Sequence, residues 1–168
     1  MKRLNRPKGI HFLLVISAVC CWVITGMVFM QDELSALFRL RYDTLAELFE
    51  LGIIPDGHPA FVQLFLYFWT SIVGTSEWAV KLPSFLCGIG SMVYTYKLGR
   101  KFYDVEVGLM ATAFVAFSQY FVMYFSLARP YAYGTFFILA QIYALAQWRE
   151  RGPVKYRWRF LVFSLLAA

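Results

Sequence analysis

Two carboxylates stand side by side where a long apolar run ends: Asp32 and Glu33, in FMQDELSALF. A carboxylate at such a boundary can take a proton from a hydroxyl, hold a metal ion or face a cation. A histidine follows in PDGHPAF, His58, and an isolated arginine in SLARPYAYG, Arg129. A guanidinium grips phosphate oxygens in a fixed fork. Carboxylate base and arginine together suit a group transfer in which a phosphate leaves. Each residue also has a plainer reading. Asp32 can cap a helix, and Glu33 can sit in its first turn, favoured by the helix dipole. His58 can be a turn residue before Pro59. Arg129 can snorkel to headgroups, and Tyr131 and Tyr133 can be interfacial belt aromatics. Glu77 and Lys81, four apart, can be no more than an ion pair on a helix.

The elements that must position these residues follow from composition. The chain has 168 residues, 60% hydrophobic and 15% charged, with mean hydropathy +0.58. A soluble domain is about 45–50% apolar and about 25% charged. The expectation is an all-α, polytopic integral membrane protein. The net charge of +6 is clustered. Lys2, Arg3, Arg6 and Lys8 precede the first apolar run. Lys97, Arg100 and Lys101 form a second group, and Arg149, Arg151, Lys155, Arg157 and Arg159 a third. Basic groups flanking apolar runs mark topology rather than a nucleic-acid face, so no nucleic-acid partner is expected. Cys20, Cys21 and Cys87 lie within apolar runs and read as small buried hydrophobes. There is no CxxC, GxxxxGK[ST], GxGxxG or HExxH. Gly88 and Gly90 read as close helix packing.

Spans are expected at about residues 10–30, 78–98, 107–125 and 130–148, with a further apolar run from 160. At about 1.5 Å per residue, Ile10–Met30 covers about 31 Å, enough for a hydrocarbon core of about 30 Å. With no A-x-A-like site after it, it reads as an uncleaved span. Pro59–Val73 is short and suits a partly embedded helix. If it does not cross, all three basic groups fall on the cytoplasmic side with the N-terminus. Residues 31–77 then form the first extracytoplasmic loop. It holds seven of the ten acids against Arg39 and Arg41, a formal charge of −5. Leu34, Leu37, Phe38, Leu45, Leu48 and Phe49 share one helical face, which predicts an amphipathic helix over about Asp32–Leu51 on the outer membrane surface. Gly52 fits its stop and PDGHP a turn. Ser126–Gly134 makes a short second external connection. Pro130 there starts a helix and leaves Arg129 at its boundary, a default functional candidate at a membrane edge.

Taken in order, QDELSALF, DGHPAFVQLFLYFW, GTSEWAVKLPS, LGRKFYDVEVGLMA and SLARPYAYG resemble the N-terminal part of the polytopic GT-C glycosyltransferases. The nearest group is that of the protein O-mannosyltransferases and lipid A aminoarabinose transferases. The resemblance runs from about Leu13 to Trp148, and the order of the motifs is more specific than any one of them. It implies inverting transfer of a sugar from a polyprenyl-phosphate donor to an extracytoplasmic lipid, glycan or protein acceptor, at a plasma (inner) membrane. It implies that Asp32 is the base, with Glu33 as its neighbour. It implies that His58, Arg129 and Tyr131 contact substrate, with Arg129 near the donor phosphate. Some relatives hold a divalent metal through loop carboxylates, so a metal is left open. One departure bears on that: many members carry an acid two residues before the arginine, and this chain has Leu127 there. The family is longer, so the chain reads as an N-terminal piece, expected to be inactive by itself. The competing reading is a transporter or assembly subunit. Against it, the ionisable residues lie at span ends rather than within spans.

Overall fold

The computed structural model describes residues 7–25, 28–57, 59–152 and 154–167. Among them every regular element is helical. In chain order these are α1 (Pro7–Thr25), α2 (Gln31–Phe38), α3 (Leu45–Glu47), a π-helical segment (Leu48–Ile53), α4 (Ile54–Asp56), α5 (Ala60–Val73), α6 (Glu77–Phe102), α7 (Val105–Phe117), α8 (Gln119–Ser126), α9 (Pro130–Arg151) and α10 (Val154–Ala167).

Local chemistry sets most of these boundaries. Ser76 and Asp104 cap α6 and α7, their side-chain oxygens accepting from Ala79 N–H at 3.4 Å and Val107 N–H at 2.8 Å. Such a cap satisfies one of the donors that a helix start leaves unpaired. Pro130 opens α9, with Arg129 extended before it (φ −132°, ψ 165°), as the ring of a following proline requires. Gly57 and Gly152 end α4 and α9 in the left-handed region, where a side chain is disfavoured.

α6 is the central post. α1, α7, α8 and α9 pack around it, and α10 packs along α9. Glycine permits the closest contacts. A Cβ on Gly99 would stand 2.7 Å from Gly108 Cα, so the α6 and α7 backbones touch there. The close packing expected at Gly88 and Gly90 takes the form of two aromatic rings, Phe125 and Phe136, lying directly on the α6 backbone. One core cluster gathers Met92, Ala116, Phe125 and Ala132; another gathers Val62, Leu66, Tyr133 and Phe137. Cys87 is a free, half-buried thiol, while the side chains of Cys20 and Cys21 lie outside the described residues.

Three features differ from the expected elements. The amphipathic helix over Asp32–Leu51 is interrupted: α2 stops at Phe38, and helix resumes at Leu45 behind the Thr44 cap. It then runs through Gly52 and Pro55 to Gly57, because a π-helical turn absorbs the glycine. The apolar run over 107–125 is bent by 67° at Ser118, whose extended backbone separates α7 from α8. Finally, among the described residues no single helix is long and apolar enough to cross a membrane; the bent α7–α8 pair meets that measure only jointly. Charged residues near both ends of α6 and at the C-terminal end of α9 shorten their apolar stretches.

Candidate functional site

Glu33 is the third residue of α2 and is fully buried. Its position in the first turn lets its carboxylate reach back to the Met30 N–H at 3.0 Å, half of a capping box. The other oxygen accepts from the Ala128 N–H at 2.8 Å, across 95 residues of chain. Lys81, in the second turn of α6, places its ammonium 3.5 Å from the same carboxylate and 5.3 Å from the Phe29 ring centroid. Both side chains are almost wholly removed from water. A buried charge needs a partner and hydrogen bonds to persist, and Glu33 has both. One carboxylate thus fastens together α2, α6 and the segment before α9.

That segment is short and shaped by a hydrogen bond of its own. Arg129 N–H returns to the Leu127 carbonyl at 2.9 Å, a γ-turn centred on Ala128. Leu127 and Ala128 are buried, and so is Arg129, at 6% exposure. One guanidinium nitrogen of Arg129 lies 3.6 Å from Asp56. The other Asp56 oxygen pairs with Arg39. Asp56, at the end of α4, therefore sits between two guanidinium groups. The Arg129 Nε is buried with no hydrogen-bond partner among the described residues. It borders a cleft lined by Ala36, Ile53, Asp56, Gln63 and Ala128, with about 10 Å³ of free volume, room for roughly one water. Gln63 closes the cleft from α5 by donating to the Ala36 carbonyl at 2.9 Å.

Asp32 is exposed in the first turn of α2, and adjacent residues on a helix point about 100° apart, so Asp32 faces outward while Glu33 faces in. Arg129 is brought next to Glu33, since Glu33 holds the neighbouring peptide. Tyr131 is partly exposed and meets the Tyr124 ring edge-to-face at 4.6 Å. His58 lies outside the described residues. Lys81, Asp56 and Arg39 join the site with no role that the sequence assigns them. Lys81 follows Trp78, Ala79 and Val80 at the head of a long apolar helix, and a lysine so placed is a signal of burial. Asp56 and Arg39 lie far apart in the chain and carry no comparable signal.

The described residues do not assemble a metal centre: no group of three or more His, Cys, Asp and Glu side chains converges among them. The buried carboxylates are already occupied, Glu33 by two N–H groups and an ammonium, Asp56 by two guanidinium groups. No step is assigned to a metal.

A sequence profile matches residues 57–168, the greater part of the chain. That range includes Lys81, the Ala128 turn, Arg129 and Tyr131; Asp32, Glu33 and Asp56 precede it. No curated protein and no solved structure matches the chain. The matching profile, set beside a helical fold that buries a carboxylate against an arginine-bearing turn, assigns the chain to the dolichyl-phosphate-mannose-protein mannosyltransferase family, glycosyltransferases of the mannosyltransferase type.

Proposed function

We propose that the protein takes part in moving a sugar from a polyprenyl-phosphate donor to a hydroxyl of an extracytoplasmic lipid, glycan or protein, with inversion at the anomeric carbon. Asp32 is the base. As the acceptor oxygen attacks, the bond from the anomeric carbon to phosphate oxygen breaks, the hydroxyl proton passes to Asp32, and polyprenyl phosphate departs. General-base assistance of this kind contributes about 10²–10⁴-fold. Arg129, buried beside Asp56, supplies positive charge near the departing phosphate and acts through its field rather than by direct contact. Glu33 is a positioning residue, and Tyr131 borders the donor path. The observation that carries the reading is the Glu33–Ala128 hydrogen bond. It holds the Asp32 helix against the Arg129 turn, which otherwise belong to distant parts of the chain.

Embedding in a bilayer is part of the same reading. Lys81 and Lys101 mark two charged layers about 30 Å apart along α6 at about 1.5 Å per residue, the thickness of a hydrocarbon core. Away from its charged ends the bundle exposes apolar side chains, among them Leu86, Met110, Phe114, Ile138 and Val15. Apolar side chains left exposed in this way suit contact with lipid. With the basic groups cytoplasmic, Asp32 and Arg129 lie at the extracytoplasmic face.

The test is Asp32→Asn in the full-length protein reconstituted with a polyprenyl-phosphate-mannose donor. Transfer is expected to fall by about 10²–10⁴-fold with the folded, membrane-inserted yield unchanged. Turnover within a factor of a few of the parent removes Asp32 from the role of base.

A further inference from the structure

At the end of the bundle away from Glu33, an open groove of about 420 Å³ lies between the end of α6 and the outer face of α9. Phe102, Ile142, Leu145 and Ala146 make its floor; Arg149 and Glu150 stand at its mouth. The charges at the mouth are unequal. Glu150 is paired with Lys101 from α6. Arg149 is exposed and makes no ion pair or hydrogen bond among the described residues. The groove therefore presents uncompensated positive charge at one end and apolar surface along the rest. From Arg149 back to Ile142 it extends about 10 Å at about 1.5 Å per residue.

We infer that this groove seats an anionic phospholipid, with the headgroup phosphate on Arg149 and one acyl chain along Phe102, Leu145 and Ile142. The charge pattern selects this occupant. A purely apolar ligand leaves the arginine unmatched. A free phosphate leaves the apolar floor in water. A zwitterionic headgroup brings its own cation towards Arg149, where like charges repel. Basic residues beside a membrane attract anionic headgroups in this way; here the apolar floor adds a defined seat for the chain. The seat lies at the opposite end of α6 from Glu33 and needs none of its residues. It rests on the bilayer embedding proposed above, and the experiment separates the two.

In the full-length protein with its native cysteines replaced, a fluorophore is attached to Cys in Ile142→Cys, and a control fluorophore to Cys in Phe114→Cys on the exposed face of α7. Each is reconstituted in phosphatidylcholine vesicles doped with brominated phosphatidylglycerol or brominated phosphatidylcholine. The Ile142 label is expected to be quenched about fivefold more effectively by the anionic lipid, the share of one interfacial cation, and the Phe114 label equally by both. Arg149→Gln should abolish the preference at Ile142 without changing sugar transfer, and Arg149→Lys should retain it. Equal quenching at Ile142 by the two lipids, with Phe114 quenched, overturns the lipid seat and leaves the embedding intact. Protection of Ile142 from both lipids, with Phe114 quenched, means that protein covers the groove and also overturns it. Loss of the preference in millimolar inorganic phosphate reduces the site to an ion site and overturns the chain seat. No quenching at either position overturns the embedding and the inference with it.

Discussion

The two ends of α6 handle charge in opposite ways. At its start, Lys81 is buried against Glu33, while Asp56 lies between Arg39 and the buried Arg129. At its finish, Lys101 pairs with a Glu150 that is 56% exposed, and Arg100, Arg149, Arg157 and Arg159 all face outward. Arg151 donates to the Tyr156 hydroxyl at 3.2 Å, a bond that holds this phenol below its ordinary titration range. Lys155 and Arg159 lie against the ring of the same tyrosine. Exposed pairs stay wet and add about 0–1 kcal/mol each. Buried pairs lose their hydration, and a fold that wanted only stability would do as well with apolar side chains of similar volume. The burial at the first end therefore points to geometry: three chain segments must meet in one arrangement, and a doubly hydrogen-bonded carboxylate admits fewer alternatives than a greasy contact.

That contrast can be broken most strongly at Glu33. Glu33→Gln removes the charge facing Lys81 and weakens the hold on Ala128. A loss of about 3–5 kcal/mol of stability is expected, the usual consequence of breaking a buried pair. Sugar transfer should fall with it, because the Arg129 turn loses its anchor. Denaturation of the full-length protein in detergent reads the first effect. The double variant Glu33→Gln with Lys81→Met should recover much of the loss, since replacing both partners costs less than removing one. If the double variant is no more stable than the single, the ion pair is not what holds the segments together.

A smaller effect is expected where the packing is tight but uncharged. Gly99→Val brings side-chain atoms against the α7 backbone, which stands 2.7 Å from where a Cβ would be. Forcing the helices apart should cost about 1–3 kcal/mol, seen as a lowered denaturation midpoint. No change would mean that α6 and α7 separate freely. The smallest effect belongs to the exposed end. Lys101→Ala should change stability by no more than about 1 kcal/mol, and less in high salt. A loss as large as that of Glu33→Gln would erase the distinction between the two ends.

The helical class and several helix boundaries were legible because they depend on neighbours a few residues away. Pro130 starts α9, leaving Arg129 extended, and the glycines of the GIG stretch mark the closest packing on α6. The helix expected over Asp32–Leu51 illustrates the limit. Its apolar residues do keep one helical spacing, yet Leu40–Thr44 leave the helix and Gly52 stays within it. Periodicity reports which residues share a face; it does not say whether the backbone between them stays hydrogen-bonded when tertiary contacts compete. Gln63, reaching from α5 to the Ala36 carbonyl, is one such contact. The bend at Ser118 is of the same kind: an unbroken apolar run conceals it.

By itself the sequence determined what is local and additive: an apolar helical chain, its basic clusters, and a short list of ionisable residues at the edges of its apolar runs. Only the tertiary structure decided which of those residues meet. Asp32 and Glu33 look alike as neighbouring acids, but one helical step of about 100° sends the first to the surface and the second into the bundle. Lys81, four residues from Glu77, meets Glu33 across the fold instead. Coulomb attraction between residues far apart in sequence leaves no periodic trace along the chain. It becomes visible only when packing removes the water between them and makes each charge depend on its partner.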